Sequence, residues 1–278
     1  MIAVELRKLL TSRRTWVTIL LIDALPTLVA VLLAVTAVGP RPGTGPAFLS
    51  AVLTDGKLFP LAALGIVLPL FLPIAVALNA GDAIAGEAQA GTLRYVLARP
   101  VGRTRLLVAK LASVMAFVVL TVLVVAVTAY VVGVLLLGRS QVPASAGGGT
   151  VRTVGISGGT FSTQELLLRT GLALGYAMVC MLGVAAIALF LSTVTRSPLG
   201  AALGALAVLI ASTILLGLEA ASALQPYLPT RYWLAFVDLF RDPILWRDVL
   251  RGVALQAAYV VVFLAAGWAN FMTKDVTD

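Results

Sequence analysis

Residues 81–105, Gly-Asp-Ala-Ile-Ala-Gly-Glu-Ala-Gln-Ala-Gly-Thr-Leu-Arg-Tyr-Val-Leu-Ala-Arg-Pro-Val-Gly-Arg-Thr-Arg, are a long polar and charged stretch held between two apolar runs. Where it begins and ends decides where two of the apolar runs stop, and so how the chain is threaded. Thr92 follows Gly91 and can cap a helix, after which Leu93, Val96 and Leu97 fall on one face at helical spacing. Pro100 disfavours helical geometry at Arg99, which limits that helix to about two turns. Gly102 permits a turn, and Thr104 can cap the next helix, whose apolar run begins at Leu106. Asp82 and Glu87 precede the short helix, while Arg94, Arg99, Arg103 and Arg105 lie in or after it. Two readings stand side by side. One is an ordinary cytoplasmic loop rich in basic residues. The other is a docking element that hands force from a soluble partner to the membrane helices on either side.

Everything around this stretch is apolar. A soluble globular chain carries about a quarter charged residues; here 12% are charged, 60% are hydrophobic and the mean hydropathy is +1.05. The chain therefore reads as an all-α integral membrane protein. Its 278 residues carry a formal charge of +8, but the 20 basic residues are scattered through loops and helix ends, without the aromatic-interleaved basic face of a nucleic-acid binder. Membrane lipid with anionic headgroups is the expected partner for that charge, and nucleic acid is not. Arginine outnumbers lysine 16 to 4 among abundant Ala, Val and Gly, a composition that points to a bacterial source of high GC content. Cys180 is the one cysteine; it lies in an apolar run and reads as a small packing residue.

Taken in order, residues 1–15 place Ile2, Leu6, Leu9 and Leu10 on one face, as an amphipathic elbow helix along a membrane surface would. The first span is expected at about 16–38. It is too long for a signal-peptide core and lacks a convincing cleavage site, so it reads as retained. It carries Asp23, a carboxylate about 10 Å below Trp16, where lipid exposure is costly and protein or water must face it. Asp23 is thus either an intramembrane functional residue or a structural carboxylate bonded between helices. The second span, 58–80, contains Pro60, Pro69 and Pro73 and should be kinked or broken. The third, 105–137, has an apolar run of 32 residues from Leu106, about 48 Å of helix against a core of ~30 Å, so it tilts or projects.

Residues 138–161 form a glycine-rich loop. No GxxxxGK[ST] occurs there or elsewhere, so a phosphate cradle is not expected. Ser162 to Glu165 fits a capping box that starts the fourth span, 165–193. Gly171, Gly175 and Gly183, with Gly200 and Gly204 in the fifth span at 199–218, are small residues suited to close helix contacts. Between Glu219 and Gly252, aromatic residues alternate with charges; Thr230 can cap a helix that halts near Pro243, and Asp242-Pro243 can start another. These are either short interfacial helices or a connector with aromatic-belt residues. The sixth span is expected at 253–271.

Six spans put both termini on one side. Nine basic residues in the N-terminal arm and central stretch (Arg7, Lys8, Arg13, Arg14, Arg94, Arg99, Arg103, Arg105, Lys110) stand against two in the first loop, Arg41 and Lys57, which makes that side cytoplasmic. The chain has no histidine, which removes Ser-His-Asp and Cys-His catalysis, HExxH metal sites and histidine proton relays. The acids are dispersed, so no catalytic, cofactor-binding or metal-ligating set is expected on this chain, and it does not read as an enzyme.

The stretch Gly86-Glu87-Ala88-Gln89-Ala90-Gly91-Thr92-Leu93-Arg94-Tyr95-Val96-Leu97-Ala98-Arg99-Pro100-Val101-Gly102-Arg103, followed by Lys110, resembles the ABC-2 type transporter permease family. The shared pattern is a Glu, a Gly-Thr-Leu four residues on, a leucine-rich turn, Pro-Val, and a basic residue ahead of Gly-Lys; Ala109 stands here where the family usually has that Gly. The ending Phe271-Met272-Thr273-Lys274-Asp275-Val276 is similar to the family's aromatic-x-x-basic-Asp-aliphatic tail, and the six spans extend the resemblance over essentially the whole chain. It implies a multi-pass permease subunit of a bacterial exporter in the cytoplasmic membrane. Such a subunit pairs with a second permease chain, as homodimer or heterodimer, and with separate ATP-binding cassette subunits that hold ATP and Mg. Residues 87–99 would be the coupling helix, with Leu93, Val96 and Leu97 as its buried anchor. Glu87, Arg94 and Arg103 would supply charge complementarity, and Gly91, Thr92 and Pro100 complete the motif. Residues 227–247 would be short extracellular helices. A stand-alone carrier or a non-transporting membrane-anchor or assembly subunit is the alternative; a carrier would show inverted repeats and several intramembrane ionisable groups. The substrate is left open.

Overall fold

Apolar runs of this length form helices in lipid because each backbone donor and acceptor must then be satisfied within its own segment. The computed structural model describes residues 2–36, 56–91, 102–137, 153–154 and 160–273. Its helices are α1 (Ile2–Thr11), α2 (Arg13–Thr36), α3 (Phe59–Val67), α4 (Phe71–Gln89), α5 (Arg103–Val132), α6 (Thr163–Val194), α7 (Pro198–Leu216) and α8 (Trp246–Thr273). A two-residue antiparallel pair joins Thr153–Val154 to Thr160–Phe161. By length and composition α2 and α5 to α8 are long and apolar enough to cross a membrane, and residues 56–67 with α4, a pair bent by 57°, make either a sixth, broken span or a re-entrant loop. The chain is a multi-pass helical membrane protein.

The bend sits where the prolines place it. Pro69 cannot donate to the carbonyl of Gly65, nor Pro73 to that of Pro69, so two successive rungs of the helix ladder are missing. α4 then runs to Gln89, nine residues past the boundary expected at 80, so Asp82 and Glu87 stand on helix rather than in a linker. They can do so because their charges meet basic side chains of other helices, described below. α5 continues through a wider turn, Gly133–Leu137, to make one 35-residue element.

α6 is the central helix, packed on α4, α5, α7 and α8. Buried residues fill 67% of its apolar window, against 17–33% in α2, α5, α7 and α8, whose remaining apolar side chains face outward as lipid requires. Cys180 is buried in α6. Of the glycines expected at close contacts, Gly183 meets Gln256 and Gly204 meets Leu191, whereas Gly171 and Gly175 have open space beside them and Gly200 lies against its own cap, Ser197. At Gly81 the close approach is to backbone of another helix: a Cβ would lie 2.9 Å from the amide nitrogen of Ala202 and 3.0 Å from the carbonyl of Pro198. The backbone of α4 therefore rests on the first turns of α7. There the buried Ser192 hydroxyl donates to the Gly81 carbonyl at 2.7 Å and accepts from the amides of Ile84 and Ala85 at 3.1 and 2.9 Å. Replacing Ser192 by Ala removes three buried hydrogen bonds between α4 and α6 and is expected to destabilise the fold by about 1–3 kcal/mol. Thermal unfolding in detergent would read this as a drop of several degrees.

The first turns of α5 and the last turns of α4, α6 and α8 gather at one end of the bundle with α1; this is the basal end. At the distal end, residues 219–245 fold back as three 3-10 segments, Glu219–Ala221, Gln225–Tyr227 and Trp233–Phe240, instead of the two helices expected from Thr230 and Asp242-Pro243. Side chains of the spans hold them by their carbonyls. Tyr176 donates to Tyr232, Gln256 to Pro229 and Tyr259 to Tyr227, at 2.6, 2.7 and 2.9 Å. Thr230 is not a cap; its hydroxyl pairs with Ser212 at 2.6 Å. The Leu245 amide bonds the Asp238 carbonyl at 3.3 Å, which folds the chain back past Pro243 and delays α8 until Trp246. The Ser162 cap of α6 is present, accepting from the Glu165 amide at 3.2 Å, but the Glu165 carboxylate turns to Arg169 at 2.6 Å instead of closing the box.

Candidate functional site at the basal end

Three helices bring their charges to one place. On α1, Glu5 and Lys8 share a face by helical spacing; Asp82 and Glu87 come from the last turns of α4, and Lys110 from the second turn of α5. The Lys110 side chain is only 4% exposed, and its ammonium donates to Glu5 Oε1 at 2.9 Å and to Glu87 Oε1. Lys8 Nζ lies 4.0 Å from the same Glu87 oxygen. An ammonium taken out of water is tolerable only with such partners. Beside this cluster Arg14, at the start of α2, donates to Asp82 Oδ2 at 2.9 Å. That pair is far more exposed and holds the helices together only weakly, about 0–1 kcal/mol.

Between these helices lies a cleft of about 330 Å³. Its rim carries Glu5, Lys8, Arg14, Asp82, Glu87 and Lys110, three cations facing three carboxylates. Thr15 and Thr18 of α2, Asn79 of α4 and Ser113 of α5 line it further in, and Ala75, Val114 and Phe117 make its apolar floor.

The polar stretch 81–105 is anchored at both ends. Its α4 side is held by Glu87 and ends at Gly91, whose φ of +67° is a left-handed helix stop favouring glycine. On its α5 side, Arg103 donates to the carbonyls of Phe271 and Met272 at 3.0 and 2.8 Å and so satisfies the end of α8. Thr104 does not cap α5, which starts from Gly102 without a side-chain cap; its hydroxyl accepts instead from the Trp268 indole at 2.9 Å. Of the residues singled out in the sequence, Thr92, Leu93, Arg94, Val96, Leu97 and Pro100 lie outside the described residues, as does the tail from Lys274. Glu87, expected to offer charge to a partner, points inward to Lys110, and Arg103 points to α8.

Asp23 stands apart from this site. Its Oδ1 is 2.5 Å from the Thr128 hydroxyl of α5, so it bridges α2 and α5 within the bundle, and it does not line the cleft. Sequence reasoning missed the partners of Lys110, although a lysine among apolar neighbours, with Glu5 and Glu87 on flanking segments, was the available signal. It missed Arg169 entirely. This residue, signalled by Glu165 one turn earlier, is 7% exposed, donates to the carbonyls of Leu239 and Arg241 at 2.9 and 2.8 Å, and lies 4.2 Å above the Phe161 ring.

A family model described as "Protein of unknown function (DUF2705)" matches residues 27–277. No curated protein matches the chain.

Proposed function

Since the chain belongs to the DUF2705 family, whose function is unknown, we propose its function from the basal site and the sequence resemblance: it is the membrane subunit of an ABC-2 type exporter, driven by ATP hydrolysis on a separate subunit. The observation that carries this reading is the double anchoring of the polar stretch. A soluble partner seated on residues 92–101 pushes on two stays at once. Glu87 passes displacement through Lys110 to Glu5 and hence to α1 and α2, while Arg103 passes it to the end of α8. A rigid connection of this kind turns a local movement into a relative shift of packed helices. Leu93, Val96 and Leu97 seat in the partner, with Arg94 at the rim. Glu87 is a transmission residue and not a docking contact. A second permease chain completes the export path, ATP and Mg are held by the partner subunits, and both termini are cytoplasmic in a bacterial cytoplasmic membrane.

The test is co-purification in mild detergent with a candidate P-loop ATPase subunit, at matched membrane expression. Leu93→Asp is expected to lose the ATPase subunit, because a carboxylate replaces the apolar anchor. Glu87→Gln is expected to retain it but to release its ATPase rate from control by this chain. A wild-type chain that retains no P-loop ATPase would sink the exporter reading and bring forward a carrier or a membrane-anchor subunit.

A further inference from the structure

The cleft between α1, α2, α4 and α5 is polar well beyond what its own ion pairs require. Among the described residues, the side chains of Thr15, Asn79 and Ser113 have no hydrogen-bond partner, yet all three face this space. Their polar atoms are open to the cleft, so whatever fills it, water or a bound polar group, bonds to them. Along the α5 wall the lining runs from Lys110 to Phe117, seven helical residues, about 10 Å. That is the depth of a phospholipid headgroup and its glycerol, with apolar surface below.

The rim selects among headgroups. Three cations and three carboxylates cancel, so a purely anionic group gains no net attraction there, whereas a group carrying both signs meets both. Lys110 is locked between Glu5 and Glu87 and acts as wall. The Arg14–Asp82 pair, with side chains 66% and 41% exposed, is the one whose charges can change partners at little cost. A phosphate takes the Arg14 guanidinium, and a primary ammonium donates to the Asp82 carboxylate. We propose that this cleft is a binding site for the headgroup of an aminophospholipid, phosphatidylethanolamine, from the leaflet in which α1 lies. Asp82 reads the amine, Arg14 the phosphate, and Asn79 and Ser113 the glycerol esters. A choline headgroup has no N–H to donate and is bound less well. The site does not depend on the exporter reading and holds for any function of the chain.

The experiment reconstitutes the full chain in nanodiscs of equal phosphatidylethanolamine, phosphatidylcholine and phosphatidylglycerol, and counts by native mass spectrometry the lipids kept after detergent washing. Wild type is expected to retain one phosphatidylethanolamine about tenfold in preference to phosphatidylcholine, the size of one charge-assisted hydrogen bond. Asp82→Asn is expected to erase that preference, and Asn79→Leu, which fills the cleft from below, to remove the retained lipid. Ser212→Ala at the distal end keeps the preference and serves as the fold control. Equal retention of the ethanolamine and choline lipids by wild type, stronger retention of phosphatidylglycerol, or a preference that survives both cleft variants would overturn the site. Soluble glycerophosphoethanolamine, added alone, is expected to leave the melting temperature unchanged. Stabilisation by it, with no lipid retained, would mean a site for a free phosphoamine and would overturn the lipid assignment.

Discussion

Lys110→Ala is expected to be the most damaging single change at the basal end, lowering stability by about 3–5 kcal/mol, the usual cost of breaking a buried charge cluster from one side. The ammonium is 4% exposed and bonds two carboxylates from different helices. Without it Glu5 and Glu87, 18% and 15% exposed, face each other across a gap, and the exposed Lys8, 4.0 Å from Glu87, replaces the lost ammonium only weakly. Since native domains are stable by only about 5–15 kcal/mol, the variant should accumulate poorly and melt well below wild type. A triple variant separates charge from shape. Lys110→Met with Glu5→Gln and Glu87→Gln keeps the volumes and removes all the buried charge, and should recover most of the lost stability. Melting of the fluorescently tagged chain in detergent measures both. Recovery no better than Lys110→Ala would mean that the cluster is held by its surroundings and not by its charges.

At the distal end, Arg169→Ala is expected to cost about 3 kcal/mol and to release residues 219–245 selectively. The guanidinium joins four groups at once: the Glu165 carboxylate, the carbonyls of Leu239 and Arg241, and the Phe161 ring. Charged donors to buried carbonyls are among the stronger hydrogen bonds, about 1.5–3 kcal/mol each, and their loss strands the acceptors. Arg169→Lys retains the charge but not the planar fork, so it can serve one or two of these acceptors and should recover less than half of the loss. Limited proteolysis from the distal side separates this variant from Lys110→Ala. Cleavage within 219–245 should accelerate in Arg169→Ala and stay slow in Lys110→Ala, because Arg169 still holds the carbonyls of Leu239 and Arg241 in the latter.

The spans were legible because lipid imposes a simple rule on composition: long apolar runs must be helices, and α2, α5, α6 and α7 fall within a few residues of their expected limits. The break in the second span was legible for an equally local reason, since Pro69 and Pro73 remove ladder donors whatever surrounds them. Helix ends that depend on distant partners were not legible. α4 runs to Gln89 because Arg14 and Lys110, which lie 68 and 23 residues away from the acids they bond, neutralise Asp82 and Glu87. α8 starts at Trp246 because the Asp238 carbonyl captures Leu245.

The same division holds for the candidate site. Glu87, Gly91 and Arg103 were recognisable as unusual residues in a polar stretch, but their directions were not. Gly91 stops α4 by its own backbone conformation, a local matter, whereas the inward turn of Glu87 and the reach of Arg103 to α8 depend on which helices stand next to them. Sequence by itself determined that this chain crosses a membrane as a set of helices interrupted by one charged stretch, because hydropathy and proline act residue by residue. Only the tertiary structure decided that Glu5, Glu87 and Lys110 form one buried cluster beside a polar cleft. Charge pairing acts over a few ångströms of space, and residues more than a hundred positions apart meet only after the helices have packed.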